Sequence, residues 1–144
     1  MTQHPLGIPP RPRDWHDGII TDVCDGDTVR AQLRLGLGIE IPQHTIRLIG
    51  VQAPELNSTE RLQAQQAAIA LSTMVREQQV IIHAPDDRLD RYGRLLAIIY
   101  RRHPTHLHCI NRWLIANGYA ESWAPRRHKF KRALPPEIIE IPDL

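Results

Sequence analysis

The chain is predicted to be mainly β with helices, an α+β fold built as a small barrel, and three observations carry that expectation. A run from Thr28 to Leu35 alternates residue by residue between polar and apolar side chains. Between about Glu60 and Gln78 the apolar period lengthens to helical spacing. Two short runs rich in β-branched residues, Val80 to His83 and Leu95 to Tyr100, bracket a polar turn. Side chains leave a strand on alternate faces and a helix on one stripe, so the two periods separate the two element types.

In chain order, residues 1–16 carry Pro5, Pro9, Pro10 and Pro12 and are expected to form an extended proline-rich arm, because proline blocks helix and ladder hydrogen bonds alike. Ile19 to Cys24 reads as a first strand leading into the Asp25-Gly26 turn. In the second strand Val29, Ala31, Leu33 and Leu35 face a core while Thr28, Arg30, Gln32 and Arg34 face out. Gly36-Leu37-Gly38 makes a loop, and an extended stretch from Ile39 to Val51 follows, interrupted near Pro42. The first helix buries Ala64, Ala67, Ala68, Leu71, Met74 and Val75. Val80 to His83 and Leu95 to Tyr100 follow as strands. A second helix runs from near Leu107 to Asn117, with Ile110 and Leu114 inside and Gly118 just past its C-cap. Beyond Pro125 there is little periodicity, so residues 17–124 form the domain and 125–144 a loosely held basic, proline-rich tail. Three strands, a helix, two strands and a helix is the order of an OB-type fold, a five-stranded Greek-key barrel with two or three helices.

A length of 144 residues suits one such domain without disulfide staples. Cys24 and Cys109 are too few for a disulfide framework, show no metal-ligand spacing and read as small buried residues. No apolar run of signal-peptide or membrane-span length occurs, so a cytoplasmic location is the expectation; a monomer is expected as well. The formal net charge is only +2, but Arg126, Arg127, Lys129, Lys131 and Arg132 crowd one segment that can track a polyanion or remain a solvated tail. The terminal segments can also dock a partner protein, without a motif that names it. His103, His106 and His108 read as a polar loop and not a zinc site, since no cysteine or fixed acid accompanies them.

Chemistry concentrates in three stretches: Asp25-Gly26-Asp27-Thr28-Val29, Arg47-Leu48-Ile49-Gly50-Val51-Gln52-Ala53-Pro54-Glu55, and Asp90-Arg91-Tyr92-Gly93-Arg94. Each has a plain structural reading. Asp-Gly is a common hairpin signal, Arg47 suits a solvated strand face, Arg94 can pair with Asp90 across a turn, and Glu55 can be an exposed acid. Together, two guanidiniums and a carboxylate beside a proline suit phosphodiester hydrolysis, because an arginine can bridge two phosphate oxygens and a carboxylate can take a proton from water.

In this order around a helix and two strands, the three stretches resemble the staphylococcal nuclease (thermonuclease) family over roughly Gly18 to Trp123. The resemblance implies an OB-fold barrel and a calcium-dependent endonuclease that hydrolyses DNA or RNA and leaves a 3′-phosphate. It assigns Glu55 as general base and Arg47 and Arg94 as catalytic phosphate clamps. It places Arg91 and Tyr92 at substrate phosphates, and Asp27, the residue at position 52 and the Ala53 carbonyl on Ca²⁺.

Gln52 departs from the family, which has aspartate there as a second carboxylate on the metal. Losing one anionic ligand forfeits on the order of 4 kcal/mol of attraction at 4 Å before solvation offsets, so calcium affinity is expected to fall unless Asp25 or Glu60 compensates. The stretch from Leu56 to Glu60 is shorter than the lysine-rich loop of the best-known relative. Tyrosines that contact bases after the second helix do not align, and Trp123 can offer a stacking surface instead or serve as a core or lid aromatic. Two functions therefore stand: a nuclease with weakened metal affinity, or a catalytically impaired OB-fold module that binds single-stranded nucleic acid or a protein partner.

Overall fold

The structure, a computed structural model, describes residues 14–57, 59–86, 89–123 and 134–140. Five strands close a barrel. Strand β1 (Trp15–Asp25) pairs antiparallel with β2 (Thr28–Gly36), and β2 pairs antiparallel with β3 (Ile39–Leu48). After a two-residue strand β4 (Val51–Gln52) and helix α1 (Arg61–Val75), β5 (Gln79–His83) returns beside β1. Strand β6 (Leu95–Arg102) then pairs antiparallel with β5 and parallel with β3, which seals the cylinder. The expected five-stranded barrel with helices is thus the observed one.

The alternation in β2 works as expected at its start: Val29, Ala31 and Leu33 are buried in the core with Ile20, Ile46, Leu48 and Ile82. Leu35 does not follow, because the β2–β3 hairpin outruns the barrel and leaves Leu35, Leu37 and Ile39 in solvent. Near Pro42 the β2–β3 register slips between Ala31 and Leu33, a bulge where proline removes a ladder donor. Helix α1 buries Ala64, Ala67, Leu71 and Val75 as its spacing predicts, while Ala68 and Met74, expected with them, are only partly buried.

Three expectations need correction. Residues from Leu107 do not open the second helix: β7 (His106–Cys109) pairs with β6, and α2 spans only Ile110–Ala116. Two histidines expected in a loop, His106 and His108, therefore lie on a strand. The N-terminal boundary also moves, since Trp15 is already in β1 and its ring stacks on His83 at 4.2 Å and on Tyr100 at 5.3 Å. Finally, the tail is in part fixed. Strand β9 (Ile138–Glu140) pairs with β7, Cys109 N–H donates to the Glu137 carbonyl at 2.7 Å, and Arg112 Nη2 donates to the Leu134 carbonyl at 2.6 Å. The basic cluster from Arg126 to Arg132 and the prolines before Asp14 lie outside the described residues.

Candidate functional site

Register brings the sequence-distant stretches together. Arg47 stands opposite Thr28 on β2 and Leu96 on β6, so Asp27 flanks it on one side and Arg94 on the other. The Asp25–Asp27 turn can close against α1 and the segment after β4 only because Gly26 lacks a side chain: a Cβ there would lie 2.7 Å from the Cβ atoms of both Ala53 and Ala67. The chain leaves β3 through Gly50, whose φ of +73° suits glycine, and enters β4. Strand β4 pairs with β8 (Glu121–Ser122), and Trp123 N–H donates to the Gly50 carbonyl at 2.9 Å.

Arg47 is the hub. Alternation placed it opposite Ile46 and Leu48, but it does not reach solvent: its side chain is 7% exposed. Nη1 donates to the carbonyls of Leu48 at 2.9 Å and Val51 at 2.6 Å, and Nη2 donates to Gln52 Oε1 at 3.1 Å and faces Asp27 Oδ2 at 3.4 Å. The Trp123 ring covers the guanidinium at 4.9 Å. Burial holds Arg47 below its ordinary pKa; Asp27 acts against that shift and nearby Arg94 adds to it.

Asp27 is equally committed. Its Oδ1 accepts from Thr28 Oγ1 at 2.9 Å and its Oδ2 from Ala53 N–H at 3.0 Å. Asp25 accepts from Asp27 N–H at 3.1 Å. Burial, a hydrogen bond with the Asp27 side chain and the Asp27 charge push the Asp25 carboxyl up to about 6. Gln52 Nε2 is directed at the Ala53 carbonyl, 3.4 Å away. That amide has one self-consistent orientation, since a guanidinium only donates and a carbonyl only accepts.

Arg94 occupies a different setting. Asp90 organises the turn: its Oδ1 accepts from Tyr92 N–H and Arg94 N–H, each at 2.9 Å, and its Oδ2 accepts from Arg94 Nε at 3.0 Å. Burial alone would raise the Asp90 pKa, but these bonds and the Arg94 charge outweigh it and hold the carboxyl below its usual range. The Arg94 side chain remains about a third exposed. Two guanidiniums approach the Tyr92 ring, Arg91 at 4.9 Å and Arg94 at 5.2 Å, and its hydroxyl accepts from Arg91 Nη2 at 2.8 Å.

Glu55 lines an open cleft of about 590 Å³ with Gln52, Ala53, Glu60, Tyr119 and Glu121. Arg47 and Arg94 do not line it; Gln52 and Ala53 form the border between the cleft and the arginine cluster. The expected site residues therefore fall into a contact network (Asp27, Arg47, Gln52, Ala53, Trp123), a neighbouring turn (Arg91, Tyr92, Arg94) and an adjoining acid (Glu55).

A calcium ion at Asp27, Gln52 and the Ala53 carbonyl, as the resemblance implies, meets donors that do not suit it. A hard cation takes six to eight oxygens. Here the Gln52 oxygen is turned to Arg47, its N–H₂ faces the Ala53 carbonyl, and the Arg47 charge stands beside Asp27. Among the described residues, no group of three or more His, Cys, Asp or Glu side chains is placed to hold a metal ion.

Asn111 was not anticipated. Wholly buried, it accepts from Ile99 N–H at 2.9 Å and donates to the carbonyls of Ile49 at 2.9 Å and Ala97 at 3.2 Å, which fixes α2 against β6 and the chain leading to Gly50. Its signal was available: a polar residue three positions before Leu114 on the buried helix face. The pairing of β8 with β4, which sets Trp123 over Arg47, leaves no periodic trace in two residues.

A closed five-stranded barrel with an arginine, an aspartate and a tryptophan joined at its rim defines a small OB-type barrel protein. Residues 45–135, more than half of the chain, match the family described as staphylococcal nuclease homologue, and the chain belongs to that family. It is also similar to endonuclease YhcR of Bacillus subtilis (strain 168), with 27% identity over 124 residues. That match covers 80% of this chain and 10% of the relative, so the chain spans about a tenth of the relative's length. No helix among the described residues is long and apolar enough to cross a membrane.

Proposed function

We propose that this chain is a phosphodiesterase of the thermonuclease type that hydrolyses DNA or RNA. The observation that carries the reading is the register that sets Arg47 between Asp27 and the strand led by Arg94, in a chain of this family. In this reading water attacks phosphorus as Glu55 takes its proton, the P–O ester bond breaks, and the leaving oxygen takes a proton from solvent. Arg94 meets the phosphoryl oxygens and stabilises the charge that grows on them, with Tyr92 and Arg91 beside it. Arg47 adds a fixed positive charge from beneath.

Digestion of labelled single-stranded DNA and RNA tests the reading. Glu55→Gln should lower the rate by about a hundredfold to ten-thousandfold, the range for a positioned general base; an unchanged rate would remove Glu55 from the chemistry. One observation favours a binding module instead: the Nη groups of Arg47 are directed at protein oxygens. Salt-sensitive binding of oligonucleotides without cleavage under any divalent metal would select that alternative.

A further inference from the structure

We propose that Gln52 makes this centre independent of divalent cations, with the carboxamide and Arg47 together supplying the cross-link that an ion would provide. The chemistry that follows rests on the nuclease reading above, but the central claim concerns ion binding and stands apart from cleavage.

Three oxygens would have to converge on an ion: a carboxylate oxygen of Asp27, the side-chain oxygen at position 52 and the Ala53 carbonyl. Each already has a protein donor. Asp27 takes Thr28 Oγ1–H and Ala53 N–H, and lies 3.4 Å from Arg47 Nη2. Gln52 Oε1 takes the same Nη2 at 3.1 Å, and Gln52 Nε2 reaches the Ala53 carbonyl at 3.4 Å. The amide thus puts a hydrogen-bond donor where an ion would need an acceptor, and rotating it would set N–H₂ against the guanidinium. Arg47 cannot withdraw, since Nη1 is fixed by the Leu48 and Val51 carbonyls and the ring of Trp123 lies over it. A carboxylate at position 52 would reverse this balance by replacing the donor with a second anionic oxygen near Asp27. Asp27 is therefore a positioning residue for Arg47 in this chain.

Calorimetric titration of the full chain with Ca²⁺ to about 10 mM, with melting curves in Ca²⁺ and in EDTA, tests the claim. The wild type should show no saturable binding and no calcium-dependent rise in Tm, whereas Gln52→Asp should bind on the order of a hundredfold or more tighter and melt higher in Ca²⁺. Saturable binding by the wild type anywhere in that range overturns the proposal, and that titration decides even if Gln52→Asp fails to fold. Cleavage of a labelled oligonucleotide in EDTA would support it, and cleavage that requires Ca²⁺ would overturn it. No cleavage in either buffer, together with no calcium binding, would uphold the ion claim and defeat the nuclease reading alone.

Discussion

Arg47 and Arg94 were equivalent as motifs, yet their surroundings differ in kind. Arg47 is buried, donates to three protein oxygens, pairs with an aspartate and is capped by an indole. Arg94 gives its Nε to one turn aspartate and keeps about a third of its surface in solvent. The same side chain thus serves as frame at one position and as an accessible cation at the other. A guanidinium whose N–H groups meet carbonyls is held by the fold; one fixed only through Nε retains reach toward a phosphate.

The largest test of this contrast is Arg47→Ala. It leaves Asp27 buried without its counter-charge and strips donors from the Leu48 and Val51 carbonyls, so stability should fall by about 3–5 kcal/mol, read from urea denaturation. A loss under about 1 kcal/mol would show Arg47 to be as dispensable to the frame as Arg94. The converse is Arg94→Ala, which should cost on the order of a hundredfold in cleavage rate, about 2.7 kcal/mol of barrier, while stability falls by no more than about 1 kcal/mol for the lost pair with Asp90. Loss of stability in step with rate would erase the distinction.

Asp90→Asn is a smaller change that acts on the same turn. It keeps the acceptor toward the two N–H groups and removes the charge opposite Arg94, for about 1 kcal/mol of stability. The pH dependence has a definite sign. The folded pKa of Asp90 is depressed, so its contribution is complete above the ordinary carboxylate range and lost as pH falls through the lower folded value. The difference in stability between wild type and Asp90→Asn should therefore shrink on acidification below about pH 4 and stay flat above it. A difference that persists at low pH would mean that charge plays no part.

Much of the barrel was legible because burial and period coincide in it. Val29, Ala31 and Leu33 alternate where β2 crosses the core, and Ala64, Ala67, Leu71 and Val75 recur where α1 packs on it. Leu35 misled because alternation continues after the core ends. Leu107 misled because a short strand and a short helix abut at Cys109 with no breaker between them. The candidate residues were legible as types and order, but their pairing was not. Alternation put Arg47 on an outer face, and only the turn at Gly50, the β4–β8 pair and Trp123 turn that face into an interior. Those contacts join residues some seventy positions apart, and local period carries no record of them.

Trp123 gives the finest discrimination between frame and reach. With one ring face against Arg47, its contribution to the protein is a partly exposed cation–π contact, so Trp123→Ala should lower stability by about 0.5–1 kcal/mol. The backbone bond from Trp123 N–H to the Gly50 carbonyl survives the substitution, which keeps β8 on β4 and confines the loss to the ring. Were the other ring face a platform for a base, its removal would cost about 1–3 kcal/mol in oligonucleotide affinity, beyond the effect on folding. Measured together on Trp123→Ala, a small drop in denaturation midpoint with an oligonucleotide Kd within about threefold of wild type assigns the indole to the Arg47 frame. A Kd raised tenfold or more, about 1.4 kcal/mol, assigns it to the substrate.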